Sequence, residues 1–406
     1  MTKRKVAFDM VLNITAVAVP IMVLQFIVYP LVAKAIDAES YGLMITVYSV
    51  WSIVSNTIGN AFNNVRLLNN NTYKEKAIEG DFNILLLVWN AVNCIVVAVV
   101  LIIITDKIAI LSLILDLFIA ILFLAKAYLE VSFRIQLNYR NILICNIIQA
   151  SGFVIGGWLT IKTGTWQWIF LFGYLQSVLF CCFKTTLLKE KRIKTELFSK
   201  ISRECIALIA ATVLASMMSY ADKLVLYPLM GGFAVSIYYT ATLLGKVVSM
   251  LTGPINSVIL SYISRWDSTK KNVLNNVLAV GVFVVIVGYF ITLFASEPVL
   301  RLLYPQWVNE VMKYVPVTTV TVMLAALNAF VCPFVLKFCD VRWQIAINTT
   351  GLLTYFVFAL LLWNQFGLYG FCFGSILGEL SRLFIMLIIY YKNSNKQIGK
   401  EENNAI

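Results

Sequence analysis

The chain has 406 residues, 60% of them hydrophobic and only 13% charged, with a mean hydropathy of +0.85, which excludes a water-soluble globular domain and makes a bilayer the solvent. The net charge of +12 requires no nucleic-acid partner, because basic residues beside membrane spans orient a chain against anionic headgroups. The sequence has no histidine, and its eight cysteines (Cys94, Cys145, Cys181, Cys182, Cys205, Cys332, Cys339 and Cys372) show no CxxC spacing, which excludes the usual Cys/His metal sites.

The basic start MTKRK leads into a long apolar segment with no small-residue cleavage pattern, so the first helix is read as retained. Crossing about 30 Å of hydrocarbon takes roughly 20 residues. Twelve stretches qualify: 10–34, 41–65, 82–105, 108–133, 141–161 and 166–188, then 205–230, 233–262, 273–296, 312–336, 343–363 and 368–391. Tyr304, Trp166, Trp168 and Trp307, near span ends, read as interfacial anchors.

An even count puts both termini on one side, and the basic residues agree. One side collects Lys3, Arg4, Lys5, Arg66, Lys74, Lys76, Arg134, Arg140, the run from Lys184 to Arg203, then Arg265, Lys270, Lys271, Lys337, Arg342, Lys392, Lys396 and Lys400; the other has Lys34, Lys107, Lys162, Arg301 and Lys313. The first side is cytoplasmic.

The longest basic connection, KTTLLKEKRIKTELFSKISREC at 184–205, reads as a topogenic loop lying on the membrane surface. It divides the chain into an N-lobe (1–188), a cytoplasmic linker (189–204), a C-lobe (205–391) and a cytoplasmic tail (392–406). The halves echo each other. QFIVYPLVAKAIDAESYGL at 25–43 superposes, 198 residues on, with KLVLYPLMGGFAVSIYYTA at 223–241, aligning Tyr29 with Tyr227, Pro30 with Pro228, Leu31 with Leu229 and Tyr41 with Tyr239. Such internal symmetry suits a transporter with its site between repeats.

Asp116, Lys126, Glu130, Asp222, Lys223, Lys246, Glu379 and Arg382 fall inside apolar spans. A charge at a span centre costs about 2.5 to 3.5 kcal/mol on insertion scales and normally faces a partner or an aqueous pathway. At about 100° per residue, Thr212, Ser216, Ser219, Tyr220, Lys223 and Tyr227 share one sector of the seventh span, with Asp222 at its edge. In the eighth span Tyr239, Thr242, Lys246, Ser249, Gly253 and Asn256 form a stripe. Ser375, Glu379 and Arg382 do so in the twelfth, Ser112, Asp116, Lys126 and Glu130 in the fourth, and Ser52, Asn56, Gly59, Asn63 and Arg66 in the second.

Each stripe has a plainer reading. Lys126 with Glu130 at i,i+4, and Glu379 with Arg382 at i,i+3, are spaced to neutralise each other within one helix. Asp222 and Lys223 diverge by about 100°, which predicts poor mutual neutralisation, and Lys246 and Asp116 have no charged partner within a turn. Hydroxyls and amides also join helices without any transport role. Leu226 is expected to face lipid.

The stretches LQFIVYPLVAKAIDAESYGLM and YADKLVLYPLMGGFAVSIYYTATLLGKVVSMLTGPINSVILSYISR resemble the first and seventh helix regions of polysaccharide transporters. These are the O-antigen-type flippases of the multidrug/oligosaccharidyl-lipid/polysaccharide (MOP) exporter superfamily. The resemblance maps that family's seventh-helix Asp-Lys pair, Gly bend and following Tyr onto Asp222, Lys223, Gly231 and Tyr238. It implies an all-α integral membrane fold of about 12 transmembrane helices, in two pseudo-symmetric six-helix lobes around a central cavity open to alternate sides.

The implied cargo is an oligosaccharide on a polyprenyl pyrophosphate, a repeat unit of O-antigen, capsule or exopolysaccharide, carried outward across a bacterial cytoplasmic membrane. Lysines would meet pyrophosphate, with Lys246 and Lys223 the best placed, while Asp222, Asp116 and Glu379 would serve proton or sodium coupling. The resemblance implies no cofactor and no covalent chemistry, membrane lipids and polysaccharide-assembly proteins as partners, and no nucleic acid. One departure is that the embedded bases are matched by embedded acids, so the interior is bipolar rather than cationic.

Other readings stay open. An ion-coupled drug or cation exporter of the same superfamily shares the architecture. A major-facilitator transporter would carry a Gly-Asp-Arg-type signature after the second span, where this chain has RLLNNNTYKEKAIEGD. A membrane polymerase or glycosyltransferase would carry a large outer loop with catalytic acids, whereas the longest outer connection here is SEPVLRLLYPQWVNEVMK.

Overall fold

The computed structural model describes residues 3–105, 109–247, 271–339 and 342–404. The later part of the expected eighth span, with Ser249, Gly253 and Asn256, and the basic residues Lys107, Arg265 and Lys270 lie outside the described residues. Among the described residues ten helices are long and apolar enough to cross a membrane. The expected second span is helical too, but its Asn-rich later half lowers its hydropathy.

The chain divides into two compact units, Met1–Val235 and Ser236–Ile406. The first begins with α1 (Lys3–Val23), a π turn at Leu24–Val28 and the short α2 (Tyr29–Ala33). Pro30 brings no backbone N–H, and the widened turn just before it accommodates the missing i to i−4 bond. Helix α3 (Ala38–Ile53) starts where Asp37 accepts the Ser40 backbone N–H at 2.9 Å and the Ser40 hydroxyl at 2.7 Å, an N-cap that satisfies an otherwise orphaned donor.

Next come α4 (Ser55–Glu75), α5 (Phe82–Ile104), α6 (Ile110–Leu129), the short α7 (Val131–Ile135), α8 (Tyr139–Thr163), α9 (Gln167–Lys184) and the long α10 (Phe198–Ala241). Helix α8 packs on α1 and α9, and α6 on α4 and α9. The unit's core gathers Phe62 of α4, Phe82 of α5, Tyr128 of α6 and Cys145 of α8, together with Leu187 and with Ile201, Cys205 and Ile209 of α10.

The connection after α9 is therefore built into this unit. Arg66 forms a two-pronged ion pair with Glu190, at 2.9 Å for one prong, and its guanidinium lies 4.7 Å from the Phe82 ring centre. Asn83 donates to the carbonyls of Leu187 and Glu190, and Asp81 accepts the Thr195 backbone N–H at 2.7 Å. Asn69 reaches Glu204 at 2.7 Å, and Lys76 pairs with Glu196. Glu190 and Glu196 are thus satisfied from α4 and its C-cap, while Lys189, Lys191, Arg192 and Lys194 stay exposed. Burial raises the Glu190 carboxyl above its ordinary value against the pull of Arg66.

The second unit contains α11 (Lys271–Leu303), α12 (Val308–Phe338), α13 (Arg342–Phe366) and α14 (Leu368–Asn404). Lipid tails are as apolar as leucine, so membrane helices associate through close packing and hydrogen bonds. Gly370, Gly374 and Gly378, four residues apart on α14, let it approach α13 so closely that a Cβ on Gly370 would come within 2.2 Å of the Leu362 carbonyl oxygen, and one on Gly374 within 2.6 Å of the Ala359 nitrogen.

Two expectations about orientation are corrected. Trp166, Tyr304 and Trp307 are buried in protein instead of anchoring at an interface, Trp166 against Trp51 and Phe170. Leu226, expected to face lipid, is fully buried. Both follow from neighbouring helices covering faces that hydropathy treats as equivalent.

Candidate functional site

The Lys223 ammonium is bonded to the Asp222 carboxylate, which also accepts the Lys223 backbone N–H at 3.0 Å. Lys223 is 3% exposed, its tip 5.9 Å from the Tyr220 ring centre. The expectation of poor neutralisation is corrected: the 100° divergence describes Cα–Cβ directions, and a four-methylene stem swings across it to find a counter-charge where the dielectric is low. Lys223 is therefore not a spare cation.

Ser216, on the same expected stripe, meets Thr57 of α4 at 2.8 Å, hydroxyl to hydroxyl. Further along α10 the backbone breaks at Gly231, whose φ of 77° and ψ of 176° suit glycine. The helix restarts under Glu39 of α3, whose carboxylate accepts the Gly232 N–H at 2.6 Å and the Phe233 N–H at 2.9 Å. A carboxylate over the free amides of a helix start is favourable on both hydrogen-bond and dipole grounds. The approach is close: a Cβ on Gly42 would lie 1.9 Å from the Gly232 carbonyl oxygen.

The other embedded charges divide into pairs and exceptions. Lys126 pairs with Glu130 at 2.9 Å and donates to Asn146 of α8 at 2.9 Å, the in-helix neutralisation its spacing predicts, with one partner added. Arg382 and Glu379 of α14 pair at 3.0 Å. Their network reaches Asn328 of α12, which donates to Glu379 at 2.6 Å, and Asn348 of α13, which accepts from Arg382 at 3.3 Å. Lys246 sits 4.1 Å from the Tyr239 ring centre, a cation–π contact two turns back.

Asp116 of α6 is 4% exposed; one of its carboxyl oxygens is buried without a hydrogen-bond partner, and the Gln167 side chain is its polar neighbour. In α4, Asn56 accepts from Asn60 at 2.9 Å, but Gly59 packs on Leu124 and Ala127, and Asn63 donates to the Ala127 carbonyl. Of the five residues of the expected stripe in the second span, Gly59 and Asn63 are thus taken up by α6, while Ser52 bonds to the Tyr48 carbonyl and Arg66 to Glu190. Asn256 lies outside the described residues.

Glu39, Asn146, Gln167, Asn328 and Asn348 were not singled out in sequence. Glu39 sits beyond the first span in the turn to the next, where an acid reads as solvated, and a lone amide in a span gives no direction without its neighbours. Among the described residues no cluster of His, Cys, Asp or Glu is arranged for a metal ion.

Solved structures supply the comparison. The chain is similar to an inward-facing multidrug resistance transporter of the MATE family of the MOP superfamily, with TM-score 0.74, 12% identity and coverage of 94% of this chain and 98% of that one. It is also similar to the lipid II flippase MurJ in an inward closed conformation, with TM-score 0.70, 14% identity and coverage of 95% and 90%. An outward-facing MATE transporter matches with TM-score 0.62, 12% identity and 95% of each chain. The chain shares the fold of these structures. No protein-family model matches the chain, and no curated protein matches it by sequence. With its apolar helices, this fold makes the chain a multi-pass membrane protein.

Proposed function

We propose that the chain is a flippase that moves an oligosaccharide linked to polyprenyl pyrophosphate outward across a bacterial cytoplasmic membrane by alternating access, without covalent change to its cargo. The lobes expected at 1–188 and 205–391 would be the alternating parts, with both termini in the cytoplasm. One observation carries the mechanism. The chain turns at Gly231 between the expected seventh and eighth spans, and the start of the second of these is held by a single carboxylate from Glu39 through two backbone hydrogen bonds. A clasp of this size, on the order of 1 to 3 kcal/mol, is strong enough to hold one state and weak enough to open in each cycle.

Cargo class rests on the resemblance of the first and seventh helix regions to polysaccharide transporters, and on a fold shared with a lipid II flippase. Asp222 neutralises Lys223, so this reading assigns the pyrophosphate contact to Lys246, whose ammonium lies 4.1 Å from the Tyr239 ring centre. Paired Glu379 and Arg382 serve the architecture of the second unit.

A second reading, an ion-coupled exporter of drugs or organic cations, draws support from that same neutralisation and from the likeness to MATE transporters. Proteoliposomes decide between them. Purified protein should move a fluorescent polyprenyl-pyrophosphate oligosaccharide to the opposite leaflet and leave ethidium gradients unchanged. Ethidium efflux without flipping would overturn the flippase reading, and undiminished flipping by Lys246→Ala would remove Lys246 from the cargo site.

A further inference from the structure

Asp116 differs from the other described embedded acids. Glu130, Asp222 and Glu379 each hold a cation, whereas no described lysine or arginine pairs with Asp116, one of its oxygens is buried without a partner, and only the Gln167 amide attends it. Gln167 is itself buried at the first turn of α9, facing α6 near its start. An ionised carboxylate there would be an uncompensated charge in low dielectric, which proteins avoid by neutralising the group.

The ionisable groups on the elements packed against α6 do not neutralise it. They are Tyr48 on α3, Arg66, Tyr73, Lys74 and Glu75 on α4, Cys94 on α5, Arg134 on α7, and Tyr174, Cys181, Cys182 and Lys184 on α9; α6 itself carries Lys126 and Tyr128, with Glu130 at its C-cap. Lys126 is ten residues along the helix, about 15 Å at 1.5 Å per residue, and is occupied by Glu130 and Asn146. Among the described residues no ion pair joins any of these groups to Asp116.

We propose that Asp116 is a proton-binding site of the first unit, with its carboxyl protonated at rest beside the Gln167 side chain. The O–H proton passes to water when α6 and α9 part enough to wet the carboxyl, and a proton from water restores it. One carboxyl and one amide offer fewer oxygens than the six or so that a hard cation takes, so the ligand is a proton rather than sodium. The site lies about seven residues into α6 from the end expected to face outward, which places loading on the outer side. This inference rests on the transporter reading by assigning its coupling ion.

Infrared spectroscopy of the purified full-length protein in lipid tests the site independently of transport. Wild type should show at neutral pH a protonated-carboxyl C=O band that shifts in heavy water, is absent in Asp116→Asn and is displaced in Asp116→Glu. A band unchanged in both variants, or no such band in wild type, overturns the proposal. If the variants do not fold, the wild-type band must still disappear on alkaline titration; persistence overturns it.

In proteoliposomes an imposed difference of about one pH unit, a tenfold driving ratio per proton, should accelerate wild-type flipping severalfold. The rate of Asp116→Asn should not respond to that difference. Flipping that follows a sodium gradient and ignores pH sinks the proton site alone. Absence of flipping by a wild type that retains the Asp116 band sinks the flippase reading alone.

Discussion

The carboxylate of Glu39 receives the backbone N–H of Gly232 at 2.6 Å, across 193 residues of chain. The contact needs glycine on both sides, since a Cβ on Gly42 would strike the Gly232 carbonyl oxygen and one on Gly232 would lie 2.3 Å from the Glu39 carbonyl oxygen. Gly42→Ala should therefore force α3 away and cost about 2 to 3 kcal/mol by overpacking. Glu39→Gln, which keeps one good acceptor, should cost about 1 kcal/mol. Thermal melting in detergent ranks them; a Gly42→Ala protein that melts with wild type would contradict the close approach.

The Asp222–Lys223 pair predicts a non-additive result. Asp222→Ala leaves a buried ammonium without its counter-charge and should destabilise by about 3 kcal/mol, whereas Asp222→Ala with Lys223→Met removes both charges and should recover most of the loss. Additive losses in a double-mutant cycle would show that the two side chains do not interact.

Arg66 and Glu190 tie the linker to α4. Arg66 is 7% exposed and also faces the Tyr73 and Phe82 rings. Arg66→Ala should leave the Glu190 carboxylate unpaired, cost about 3 kcal/mol and open the exposed run from Lys189 to Lys194 to trypsin. Limited proteolysis of membrane vesicles reads this directly, with cleavage at least severalfold faster than in wild type. Equal rates would mean that other contacts, such as Asp81 with Thr195, hold the linker alone.

Asp37 gives a pH dependence of known sign. Hydrogen bonds from Ser40 hold its carboxyl below the ordinary value, so the folded chain binds this proton less readily than the unfolded one. The stabilisation is complete above the unfolded value near 4 and is lost as pH falls through the lower folded value. Asp37→Asn should keep much of the N-cap, which is worth about 1 kcal/mol, and abolish this acid-side loss. Melting curves between neutral and acidic pH for the two proteins should converge as the pH drops; parallel curves would refute the assignment.

Legibility differed between these features for identifiable reasons. The spacing of Lys126 with Glu130 and of Glu379 with Arg382 predicted their pairs, because i,i+3 and i,i+4 neighbours meet on any regular helix. The same geometry misjudged Asp222 and Lys223, because it follows Cβ directions and ignores the reach of a lysine. Gly231 was noted as a bend, but its partner Glu39 lies in a turn far away in sequence. The polar face of the second span was read as one surface, yet Gly59 and Asn63 are taken up by α6 while Asn56 pairs with Asn60.

Hydropathy and length along the chain determined that this protein lives in a bilayer as a bundle of long helices, and which charges lie within it, because apolar run length and the cost of burying charge are properties of local sequence. Tertiary structure alone decided which of those charges are neutralised, by what, and that Asp116 is left with only an amide. Partners such as Glu39 with Gly232, Arg66 with Glu190 and Asn328 with Glu379 are chosen by which helices pack together, and neither periodicity nor composition carries that information.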